Sequence, residues 1–94
     1  MIQVKLSYVW KGVEVVDMVE SRMFTANAIA DSLELKAVAS TGTHIDVNPI
    51  RAHYPDDTTM IFIFDADNET IAGYAIWVSG EEEGSNDVDE DDEV

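Results

Sequence analysis

From Ile2 to Trp10 the chain alternates. Ile2, Val4, Leu6, Tyr8 and Trp10 fall on one parity and Gln3, Lys5, Ser7, Val9 and Lys11 on the other. A period of two is the signature of a half-buried strand. Lys11-Gly12 follows, and Val13, Val15 and Val19 then resume the alternation, interrupted by Asp17. A two-residue loop at Lys11-Gly12 sets the register of a first hairpin. It pairs Trp10 with Val13, Tyr8 with Val15 and Leu6 with Asp17.

The period then changes. Over residues 25–39, Ala26, Ile29, Ala30, Leu33 and Val38 form an apolar stripe at helical spacing, with Asn27, Asp31, Glu34 and Lys36 off it. Thr25 is a suitable N-cap and Gly42 a suitable terminator, so one helix is predicted here. Residues 44–54 carry Ile45, Val47, Ile50 and Ala52 around Asn48-Pro49. The proline denies a donor to a sheet ladder, which points to an edge strand or two short pieces. Met60, Ile61, Phe62, Ile63 and Phe64 are continuously apolar, and Ile71 to Val78 is apolar on both parities around Gly73. An unbroken apolar run implies a central strand covered on both faces. Asp65, Ala66, Asp67 and Asn68 turn the chain between these two strands. The predicted fold is α+β: four to five antiparallel strands, ββα then βββ, with one packed helix over residues 1–80.

Composition changes abruptly after Gly80. Nine of the 20 acidic residues fall in residues 81–94, which contain no Lys, Arg or aromatic residue. Such a segment buries too little surface to offset its ordering entropy, so residues 81–94 are expected to be a disordered acidic tail. The remaining 11 acids stand against all 5 Lys and Arg in residues 1–80, so the body is acidic without the tail; the whole chain carries a formal charge of -15. A surface of that sign repels phosphate backbones and anionic headgroups and favours basic partners. No cysteine is present, which removes disulfide and thiolate chemistry and agrees with a reducing cytoplasm. No apolar stretch approaches the roughly 20 residues of a membrane span. The expected location is the cytoplasm, or a host's cytoplasm if the chain is viral.

Candidate chemistry is sparse. His44 and Asp46 lie two apart, so a strand would place them on one face, but no cysteine or well-spaced second histidine completes a metal set. Asp65, Asp67 and Glu69 are spaced like the start of an EF-hand loop, yet Thr70 takes the glycine position and Ile76 the position of the bidentate glutamate. Residues 25–35 resemble the first helix of a helix-turn-helix, but the following segment offers only Lys36 for phosphate contacts. Asp17 is the one acid on an apolar face, where burial would raise its pKa; a position near a sheet edge with access to solvent is the expectation. No nucleophile elbow, Ser-His-Asp grouping or phosphate-binding glycine loop is found. The expectation is therefore a non-enzymatic protein without a cofactor.

Two functional classes follow. In the first, carboxylates occupy the basic site of a nucleic-acid-binding protein in place of phosphates, as small acidic inhibitors of bacteriophages do by comparable size and charge. Such an inhibitor or DNA mimic should line one continuous face with carboxylates. The contact residues expected for it are Trp10 as an exposed anchor, Asp65, Asp67 and Glu69 at the turn, and Glu81, Glu82, Glu83, Asp89, Asp91 and Asp92 in the tail. In the second class the chain is a small interaction or regulatory domain adapted to high salt, with its acids spread evenly. Few lysines fit that reading; eight isoleucines fit it less well. An edge strand at residues 44–54 could also pair with a second copy.

Overall fold

The structure is a computed structural model and describes residues 1–83. The elements run β1 (Ile2–Trp10), β2 (Val13–Ser21), α1 (Ala26–Thr41), β3 (Val47–Asp56), β4 (Thr59–Ala66) and β5 (Glu69–Gly80). The strands form one antiparallel sheet in the order β2-β1-β5-β4-β3. This is the predicted ββαβββ arrangement of five strands and one helix. The first hairpin has the expected register: Trp10 opposes Val13, Tyr8 opposes Val15 and Leu6 opposes Asp17. Lys11 and Gly12 have φ of 54° and 77°, and Asp67 and Asn68 have 54° and 63°. Two consecutive positive φ values are the mark of the type I′ turn, whose twist matches that of the strands it joins.

The helix connects the two edges of the sheet and packs on one face. Thr25 caps it, its hydroxyl accepting the Ala28 amide at 3.2 Å, and Gly42 ends it in the left-handed conformation with its amide on the Val38 carbonyl. Ile29, Ala30 and Leu33 enter the core, and Ser32 donates to the Glu20 carbonyl of β2 at 2.8 Å. Glu34 accepts the Val47 amide at 2.8 Å and so ties the helix to β3. Beneath it lie Ile2, Val4, Leu6, Met60, Phe62, Phe64 and Ile71, all essentially inaccessible to solvent. The Phe62 and Phe64 rings stack at 4.4 Å.

Three expectations are corrected. The Met60 to Phe64 run lies in an interior strand, but only Met60, Phe62 and Phe64 are buried; Ile61 is 42% exposed. One helix covers one face, so the opposite parity of every strand faces outward. Val38 lies outside the buried stripe, which is narrower than the sequence pattern implied. Residues 81–83, assigned to the tail, are hydrogen-bonded to the body: the Glu82 carboxylate accepts the Phe24 amide at 2.9 Å, and the Glu83 amide donates to the Arg22 carbonyl at 2.6 Å.

Gly73 marks a close approach of neighbouring strands. It sits between Tyr8 of β1 and Phe62 of β4. A Cβ there would lie 2.1 Å from the Ser7 carbonyl oxygen and 2.5 Å from the Tyr8 Cα. The obstruction is backbone, so side-chain rearrangement cannot relieve it. Gly73→Ala is expected to cost about 2 kcal/mol or more, a fall in melting temperature of roughly 10 °C for a domain of this size. Thermal denaturation followed by circular dichroism measures it, and a melting temperature within 2–3 °C of the parent (about 0.5 kcal/mol) would contradict this packing.

Candidate partner-binding surface

Two of the expected contact groups lie at opposite ends of the strands. The type I′ turn of the β4–β5 hairpin holds Asp67, flanked by Asp65 and Glu69. Trp10 joins them, because β1 ends beside Ile71 at the start of β5. Glu81, Glu82 and Glu83 follow Gly80, which opposes Ile2 at the other end of β1. A nine-residue strand separates the two groups by roughly 30 Å. Asp89, Asp91 and Asp92, and the expected disorder of residues 84–94, lie outside the described residues.

At the turn end, Lys11 stands among the carboxylates. Its Nζ lies 3.8 Å from Asp67 Oδ2 and 5.2 Å from the centre of the Trp10 ring. Asp67 and Lys11 are both more than half exposed, so the pair is held in high dielectric and is weak. Trp10 differs from expectation. It is partly buried on the helix-covered side of the sheet, and its indole N–H is buried without a partner. The more exposed aromatics are Tyr54 and Tyr74. Tyr54 is anchored, its hydroxyl donating to the Phe24 carbonyl at 2.8 Å. Tyr74 lies on the uncovered face.

Trp10 also lines a mostly apolar cavity of about 210 Å³ under the C-terminal half of the helix, with Tyr8, Asp17, Leu33, Lys36 and Ile71. Asp17 sits on an edge strand, is partly exposed, and is 3.9 Å from Lys36 Nζ, as the edge reading anticipated. Burial, with a smaller contribution from the nearby Asp17 charge, raises the Tyr8 phenol above its ordinary value of 10.0.

The opposite end is used by the fold itself. The Met1 amino group bonds the Glu81 carbonyl at 3.0 Å and pairs with the Glu83 carboxylate. Hydrogen bonding to that amine, its charge, and to a lesser extent Arg22, hold the Glu83 carboxyl below its usual 4.5. Asp56 is similarly lowered, chiefly by the Thr58 amide, in the turn between β3 and β4.

The sequence pattern did not reveal that Glu34 joins His44 and Asp46, with one potential ligand atom from each within 4.8 Å of the others. Only the helix–β3 packing brings Glu34 there. The group is internally satisfied: His44 Nε2 contacts Asp46 Oδ1 at 2.8 Å, and Glu34 holds the Val47 amide. The uncovered apolar face was also missed, although the first hairpin register already assigned Val9 and Val16 to it. Compared with protein-family models, curated proteins and solved structures, the chain matches none.

The attachment of residues 81–83 generates a test. Deleting residues 84–94 keeps the contacts that residues 81–83 make with Phe24, Arg22 and Met1, whereas deleting residues 81–94 removes them. The shorter chain should melt lower at neutral pH. Because the folded Glu83 carboxyl is depressed, its contribution is present above the unfolded value near 4.5 and is lost as pH falls through the folded value. The gap between the two truncations should therefore narrow on acidification. Equal melting temperatures at pH 7 would show that these contacts contribute nothing.

Proposed function

We propose that this chain is a non-enzymatic acidic binding protein that occupies the basic nucleic-acid-binding site of another protein. The observation that carries the reading is the charge of -15, with the carboxylates Asp65, Asp67 and Glu69 gathered at the type I′ turn of the β4–β5 hairpin. Carboxylates held at fixed spacing can meet lysines and arginines that otherwise contact phosphates. A preformed type I′ turn lowers the ordering cost of presenting them. The same charge disfavours direct contact with nucleic acid, and the described residues hold no helix long and apolar enough to cross a membrane.

The distribution of acids favours a second reading. Carboxylates lie at both ends of the strands, along the β2 edge and on the helix rather than along one continuous face, which departs from the continuous acidic face of a mimic and supports a small interaction domain whose acidity keeps it soluble in high salt. The two readings differ in salt response and in competition with nucleic acid.

If the first holds, binding to a basic nucleic-acid-binding protein should displace its DNA and should weaken as salt rises. The slope should be shallower than that of the DNA complex, because side-chain carboxylates release fewer condensed counterions than a duplex. The triple change Asp65→Asn, Asp67→Asn and Glu69→Gln should lower affinity by about tenfold, the effect of roughly 1.4 kcal/mol, while leaving the melting temperature unchanged or raised. Fluorescence-anisotropy competition with labelled DNA measures both. Binding that ignores salt and the triple change, with the DNA still bound, would reject mimicry and leave the interaction domain.

A further inference from the structure

The face of the sheet opposite the helix is apolar and uncovered, and its charges follow a pattern. Register defines three rows running across all five strands. The first reads Glu14, Val9, Ala72, Ile63, Arg51; the second Val16, Ser7, Tyr74, Ile61, His53; the third Met18, Lys5, Ile76, Thr59, Asp56. Val9, Val16, Met18, Ile61 and Tyr74 are each more than 40% exposed here. Acid and base thus sit at opposite ends of the first row, with apolar residues between. Lys5 and Arg51, two of the five Lys and Arg in the chain, lie on this face, so it is far closer to neutral than the rest of the surface.

We propose that this face is a two-fold interface with a second copy of the same chain. Take the two-fold axis parallel to the strands and through β5, the middle strand. Each row then lies on its own copy reversed: β2 over the partner's β3, β1 over β4, and β5 over itself. Glu14 faces Arg51 of the partner subunit, and Arg51 faces the partner's Glu14. Val9 meets Ile63 of the partner subunit, and Tyr74 meets its own counterpart near the axis. Lys5 lands beside the partner's Thr59 and Asp56. Packed sheets are rotated by about 30°, which at two strand spacings from the axis is a displacement of roughly 5 Å, within reach of an arginine. An axis perpendicular to the strands is the poorer solution, since it sets Lys5 against the partner's Val9. Pairing through the β3 edge is also the poorer route, because Pro49, Pro55 and two register shifts interrupt that edge. The face is small, at the low end of specific interfaces (under about 1,200 Å² in total), and micromolar association is expected.

Sedimentation equilibrium of the full chain tests this, between about 1 µM and 1 mM, in roughly 0.5 M salt to screen the repulsion between acidic copies. A monomer–dimer equilibrium with a micromolar midpoint is expected. Tyr74→Glu should weaken it by about tenfold or more. Glu14→Arg and Arg51→Glu should each weaken it, because each sets like charges opposite one another. The double variant should return to within about threefold of the parent. Circular dichroism establishes that each variant is folded. A monomer throughout the range, a dimer that survives Tyr74→Glu, or a double variant no tighter than its singles would overturn the proposal.

Discussion

One helix has to serve five strands, and most of the architecture follows from that limit. β2 and β3 lie at opposite edges of the sheet, so the chain between them must cross about 19 Å, four strand spacings. The 16 residues of the helix extend about 24 Å, enough to make the crossing while covering the sheet on the way. The connection and the core are thus the same element. Ser32 fastens it to β2 and Glu34 to β3, and Ile29, Ala30 and Leu33 fill the space between. Nothing remains among the described residues to cover the other face.

The same limit governs where charge can go. One face is core, and the other is largely apolar across its centre. Carboxylates are left with turns, strand ends, edges and the helix, which carries Asp31 and Glu34. Asp65, Asp67 and Glu69 gather at one end, Asp56, Asp57 and Glu81 to Glu83 at the other, and Glu14, Asp17 and Glu20 along the β2 edge. The acid groups are held apart by the length of the strands. Any partner engaging one end leaves the other free, unless it is large enough to span the sheet.

Local pattern was readable where it was repeated in register. The alternation from Ile2 to Val19, closed by Lys11-Gly12, fixed one hairpin down to the pairing of Leu6 with Asp17. Thr25 and Gly42 bounded the helix because capping chemistry is local. The run from Met60 to Phe64 was read too literally: apolar side chains on both parities do not show that both sides are covered, and Ile61 and Ile63 belong to the open side. Trp10 was placed near a turn correctly, but its parity already put it on the core side, a stronger constraint than its nearness to the loop. Residues 81–83 look like tail by composition. Their attachment depends on Phe24, Arg22 and Met1, which only the three-dimensional fold brings within reach. The contact of Glu34 with His44 and Asp46 likewise needs the helix seated before it exists.

The middle of the sheet is built from the first and last strands. Ile2 lies opposite Gly80, and Trp10 opposite Ile71, so a central pairing of the sheet joins the segments most distant in the chain. During synthesis the first hairpin and the helix emerge with their apolar sides unmatched, and the central ladder cannot close until β5 has left the ribosome. Loop-closure entropy must be met before that pairing returns any free energy. The fold is therefore assembled late, and the early chain waits with little net charge to keep it dispersed: residues 1–41 set 5 acids against 4 Lys and Arg, and the strongly acidic segment emerges last.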